Sequence, residues 1–201
     1  MRFPLRFGLV VVALCATLSS ALAASKDPEI FVQDLIGTAV SQLGGEEPES
    51  VRARRFRGLI DEHLALPTIV RFVCGKHWPR ASEEQREDFE VAFRRLLVSR
   101  FLPAFDSVEE LDYEVKGAER LKPGLWSVVV GLRPGPDADP VSVKLRILDR
   151  QGDMRVADVV IRGVSLGLTL REEYTTYLDR HGGKLSALTR DLRNRAEGLR
   201  R

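Results

Sequence analysis

The hydrophobic period of the chain changes near Leu111, and that change constrains the fold more than any other feature. Downstream of it, Leu111, Tyr113 and Val115 alternate with Asp112, Glu114 and Lys116. Trp126, Val128, Val130 and Leu132 then share one parity, as do Val141, Val143, Leu145 and Ile147 after them. A β-branched run, Val156-Ala157-Asp158-Val159-Val160-Ile161, completes the series. A period of two sends successive side chains to opposite faces of a strand, so these four runs read as strands with one apolar face. The segments between them, Pro134 to Pro140 and Gln151-Gly152-Asp153, are turn-type and too short for crossover helices. The expectation is a four-stranded antiparallel sheet, apolar on one side and polar on the other.

Upstream of Leu111 the period is helical. Ile30, Phe31, Leu35, Ile36, Ala39, Val40 and Leu43 form one stripe, ended by Gly44-Gly45. A second helix is expected over about residues 50–63, and a short third one with Pro67 in its first turn, stopped by Gly75. Ser82 and Gln85 make a capping box. The helix it opens is expected to run to about Phe105, carrying Phe89, Phe93, Leu97, Phe101 and Phe105 at intervals of four. That stripe suits either a close-packed core or the wall of an apolar cavity. After the last strand, Leu170, Tyr174 and Leu178 mark another helix. Leu185, Leu188, Leu192 and Ala196 mark a final one, whose other face holds Lys184, Arg190, Arg193, Arg195, Arg200 and Arg201. Such a face suits solvent or a weak contact with anionic lipid headgroups. Helices, then strands, then helices make an α+β domain.

The first 23 residues stand apart from this pattern. Arg2 and Arg6 precede an apolar segment from Leu9 to Leu18, and Ala21-Leu22-Ala23 is a small-x-small cleavage site. This is the pattern of a secretory signal peptide, too short in its apolar part to span a bilayer. The expectation is an exported, periplasmic protein whose mature chain, residues 24–201, forms a single domain. Loss of Arg2 and Arg6 from the 31 basic residues leaves as many as the 29 acidic ones, so no nucleic-acid footprint remains. Cys74 is the one cysteine left, which rules out an intramolecular disulfide; it reads as a small buried hydrophobe.

Few residues offer chemistry. His63, His77 and His181 lie far apart without metal-ligand spacing, so no metal site and no cofactor are expected. Tyr113 and Asp158 could in principle meet as acid and base, but Asp158 has the strand parity for a plain cross-strand pair with Lys144 or Arg146. Gly163-Val164-Ser165-Leu166-Gly167 matches the G-x-S-x-G elbow of serine hydrolases, with Asp179 and His181 following in hydrolase order. The elbow belongs to a parallel doubly wound sheet, however, and Asp179 and His181 sit two apart at a helix end, facing different ways. No catalytic residue is assigned, and the protein is read as a non-enzyme.

Three segments together carry a family resemblance. They are residues 66–78 (LPTIVRFVCGKHW), residues 81–86 (ASEEQR) with Phe89 and Phe93 following, and residues 158–165 (DVVIRGVS) with Arg171, Glu173 and Tyr174 after them. They resemble the MlaC/toluene-tolerance family of periplasmic phospholipid-binding proteins, and within it the hopanoid-associated HpnM branch. The resemblance implies helices packed on an antiparallel sheet around an apolar cavity, in the manner of nuclear-transport-factor-like folds. It implies a carrier of phospholipid or hopanoid-type lipid between the inner and outer membranes. Its implied partners are an inner-membrane ABC lipid transporter complex and an outer-membrane lipoprotein complex. On such a cavity wall the residues expected are Val73, Phe89, Phe93, Leu97, Val128, Val130, Leu145, Ile147 and Val164. The alternative readings are an interaction module with a filled core and, least favoured, a serine hydrolase using Ser165.

Overall fold

In the computed structural model, residues 27–106, 111–133 and 139–199 are described. The expected signal peptide over residues 1–23, its expected cleavage before Ala24, most of the Pro134–Pro140 loop, and Arg200 and Arg201 lie outside the described residues.

The chain begins with helix α1 (Pro28–Leu43), where the Asp27 carboxylate accepts from the Glu29 amide at 2.8 Å. Helices α2 (Glu49–His63) and α3 (Leu66–Cys74) follow, and Gly75 ends α3 with φ of 54°. A 3₁₀ turn, Gly75–Arg80, leads to α4 (Glu83–Phe101). The expected capping box is formed in both directions, at 3.2 Å from the Gln85 amide to Ser82 and 3.1 Å back. Helix α4 is shorter than its apolar stripe predicted. Pro103 lacks an amide hydrogen, so the chain tightens into a 3₁₀ turn over Leu102–Phe105.

Strands β1 (Asp112–Lys122), β2 (Leu125–Arg133), β3 (Val141–Arg150) and β4 (Asp153–Ile161) form an antiparallel meander. The sheet has five strands rather than four. After β4, Arg162 and Gly163 make a two-residue turn with φ of 50° and 84°, and β5 (Val164–Ser165) pairs back onto Val160 and Ile161. Both φ values are positive, as in a type I′ hairpin turn. Two residues are too few to show a period, which is why this strand is invisible in the sequence. Helices α5 (Leu166–Arg180) and α6 (Leu185–Gly198) close the fold.

Register decides what the apolar face presents. Val130 pairs with Val143, Val128 with Leu145, and Leu145 in turn with Val159. Cross-strand partners point to the same side, so these residues form one continuous apolar surface. Helix α1 lies across part of it, burying Val32 completely beside Val128 and Ile147. A second core is wholly helical. It joins α3, α4, α5 and α6 around Val73, Phe89, Phe93, Tyr174, Leu188 and Leu192. A third, smaller cluster ties α1, α2 and the end of α4 through Leu43, Leu59, Ile60 and Leu102.

Candidate functional site

Leu64 packs against both the sheet core and the α1–α2–α4 cluster. Between them lies a cavity of about 520 Å³. Leu35, Ile36, Ala39 and Val40 of α1 form one wall, and Phe56, Leu59 and Ile60 of α2 with Leu64 just after it another. Ala104 and Phe105 of the 3₁₀ turn close an end, while Leu111, Val130, Leu132, Val143, Leu145, Val156 and Val159 make the sheet floor. Among the described residues, every lining residue is aliphatic or aromatic. Leu35, Ile36, Phe56, Leu132, Leu145 and Val159 are only half-buried, in contrast to the helical core, where Phe89 and Phe93 are 0% and 1% exposed. The apolar wall is therefore reachable by solvent. A volume of about 150 Å³ lined by Leu, Ile and Phe stays dry and accepts benzene; on that scale this cavity holds roughly 20 carbon atoms. It offers shape and apolar contact, with no polar side chain on the wall among the described residues.

Of the nine residues expected on such a wall, Val130 and Leu145 lie on it. Val128 and Ile147 share the same sheet face but are fully buried beneath α1. Val73, Phe89 and Phe93 belong instead to the closed helical core, where the Phe89 and Phe93 rings stack at 6.0 Å and Tyr174 meets both edge-on at 6.3 Å. Leu97 packs between that core and the α1–α2–α4 cluster. Val164 is 58% exposed on the outer edge of the sheet. The error lies in the stripe of α4. A repeat of four overshoots the helical turn by about 40° per step. Phe89 and Phe93 therefore face the helices, and only the far end of the stripe, Phe105, reaches the cavity. The walls from α1 and α2 were legible as apolar stripes, but nothing in them distinguishes a stripe facing a gap from one facing another helix.

The G-x-S-x-G segment resolves into a structural device. The Ser165 hydroxyl donates to Asp158 Oδ2 at 2.6 Å and accepts from the Leu168 amide at 3.0 Å, capping α5. Asp158 Oδ1 accepts from the Gly167 amide at 2.9 Å, and Arg146 lies 3.3 Å from the same carboxylate, the cross-strand pair expected from parity. His181 is at the other end of α5, about 24 Å away at 1.5 Å per residue. Its ring stacks on Tyr177 at 3.9 Å. Asp179 turns elsewhere too, meeting His77 Nε2 at 3.0 Å and Lys76 Nζ at 2.9 Å. The hydrogen bond from Lys76 holds its carboxyl below the ordinary value. Nucleophile, base and acid are thus never brought together. Tyr113 lies over α1, its hydroxyl approaching Gly37, whereas Asp158 faces Ser165 on the opposite side of the sheet.

Two basic residues of α6 are engaged within the molecule. Arg193 reaches Asp88 at 3.1 Å, and Arg195 pairs with Glu173 and, at 2.7 Å, with Asp191. Among the described residues no helix is long and apolar enough to cross a membrane.

Comparison with known proteins agrees with this architecture. A search of curated proteins found no match. Among solved structures, the phospholipid-binding protein from Ralstonia solanacearum, determined in complex with a phospholipid, superposes with a TM-score of 0.75. The two sequences are 18% identical, and the match covers 87% of this chain and 99% of the other, which establishes a common fold. The family model described as MlaC protein matches residues 32–194, a span that includes all six helices but for the ends of α1 and α6, and the whole sheet. The chain is a member of the MlaC family.

Proposed function

We propose that this protein is a phospholipid carrier of the periplasm, which holds an acyl tail in the cavity between α1, α2 and the sheet while moving lipid between the inner and outer membranes. The observation that carries the reading is the cavity, apolar at every described lining residue, open to solvent, and of acyl-chain size. A chain of about 15 methylenes costs roughly 12 kcal/mol to expose to water at ~0.8 kcal/mol per CH₂, so its passage through an aqueous space needs an enclosure. The structural neighbour was solved with a phospholipid bound, which supports the same ligand class here. The small-x-small site before Ala24 supports export and a mature chain of one domain over residues 24–201. An inner-membrane ABC transporter complex and an outer-membrane lipoprotein complex are the donor and acceptor that family membership suggests. The protein acts by enclosure and release and makes or breaks no bond.

The deciding experiment is organic extraction and mass spectrometry of protein purified from the periplasm. The expected result is about one phospholipid per chain; recovery of a hopanoid would redirect the ligand, and protein free of any lipid would overturn the reading.

A further inference from the structure

Large apolar side chains exposed at the surface are few, and half of those among the described residues gather at one corner. Ile161 and Val164 flank the β4–β5 turn at 37% and 58% exposure. Leu168, in the first turn of α5, is 54% exposed, and Phe72 of α3 is 41% exposed. The Phe72 ring sits against Gly167, next to Leu168. The turn itself puts Arg162 at its tip in a left-handed conformation with φ of 50°, where a side chain other than Gly, Asn or Asp is uncommon. Arg171 stacks over Phe72 at 4.9 Å, and Arg71 precedes it in the chain. The carboxylates nearby are largely committed elsewhere: Asp158 to Arg146 and Ser165, and Glu173 to Arg195, leaving Glu172 as the exposed acid of that helical turn.

This corner also adjoins the cavity. Ile161 is the cross-strand partner of Val143, and the next pair on that face, Leu145 with Val159, is cavity floor. Apolar side chains beside a turn that carries Arg162, with Arg171 over Phe72, complement a surface that is greasy below and anionic above. We propose that the corner formed by the β4–β5 turn, Leu168 and Phe72 docks the protein directly on an anionic phospholipid bilayer, with the end of the cavity floor turned toward the membrane. Ile161, Val164, Leu168 and Phe72 enter the headgroup region while Arg71, Arg162 and Arg171 meet lipid phosphates. The inference rests on the carrier reading for its purpose, though the contact itself does not require a filled cavity.

Co-sedimentation with phosphatidylcholine vesicles, with and without phosphatidylglycerol, tests it on the full mature chain. The wild type is expected to bind only the anionic vesicles and to release at high salt. Val164→Asp and Arg162→Glu should each lower the bound fraction about tenfold, because each places or exchanges charge at the docking tip. Circular dichroism and the amount of copurified lipid per chain should be unchanged in both, since neither side chain touches the cavity. Failure of the wild type to bind anionic vesicles would overturn the proposal, as would equal binding by both variants. A dimer in solution that dissociates in Val164→Asp, without vesicle binding, would assign the corner to a second copy of the chain. A complex with a membrane protein lost in Val164→Asp, again without vesicle binding, would assign it to that protein. Lipid copurifying without vesicle binding leaves the carrier reading intact; vesicle binding by lipid-free protein would do the reverse.

Discussion

Asp158 is the residue on which the end of the sheet turns. Its carboxylate accepts from a serine hydroxyl and a backbone amide and lies beside a guanidinium, so one nearly buried charge joins β3, β4 and the start of α5. Hydrogen bonds to a charged group are worth about twice neutral ones, and an unpaired buried charge is costly, so the cluster stabilises only as a complete set. Ser165 is part of it as a helix cap. Ser165→Ala is therefore expected to lose about 1–2 kcal/mol from cap and carboxylate bond together, measured by urea unfolding. The same substitution should leave bound lipid unchanged, and a fluorophosphonate probe should not label the native wild type. Labelling that vanishes in Ser165→Ala would show that the hydroxyl is a nucleophile after all.

At the scale of elements, α1 and α4 carry similar apolar stripes yet have opposite duties. The α4 stripe is sealed among α3, α5 and α6, whereas the α1 stripe looks partly into the cavity. A charge on each should separate them. Phe93→Arg buries a cation where Phe89, Tyr174 and Leu188 leave no route to water, at a cost of several kcal/mol. It is expected to abolish cooperative folding. Ile36→Arg puts the same charge on a half-buried wall, where a long stem can reach along the surface to solvent. That variant should fold and lose most of its lipid. Thermal unfolding and lipid content measured on the same preparations check both outcomes, and lipid retained at wild-type stoichiometry in Ile36→Arg would place the tail elsewhere.

For the molecule as a whole, the closed helical core and the open cavity beside the sheet are separate regions. Burial in that core pushes the Cys74 thiol from its ordinary 9.0 to about 12, and it also raises the Tyr174 phenol well above its usual value. Both groups keep their protons longer in the folded protein than in the unfolded chain. Their contribution is fully present below about pH 9, the ordinary thiol value, and is lost as pH rises toward the folded values. Denaturant unfolding should thus show stability declining between about pH 9 and 11, less steeply in Cys74→Val. A thiol reagent at about pH 8 should leave native Cys74 unmodified, because little thiolate forms and none is exposed.

The amino-acid sequence by itself determined the elements and their class. The change of period near Leu111, the capping box at Ser82 and the glycines after α1 and α3 are local signals, and local hydrogen bonding and side-chain parity suffice to read them. Val130 and Leu145 were legible as cavity floor because parity assigns a sheet face without reference to anything else. The tertiary structure alone decided which apolar stripe meets a gap. Phe89 and Phe93 look no different in sequence from Ile36 and Val40, since a period reports that a face is turned from water and not what it is turned toward. The two-residue strand β5 likewise depends on pairing with β4 rather than on its own residues. Where the sheet and the helices α1 and α2 stop short of each other is a property of their lengths and angles together, and that is what leaves the cavity open.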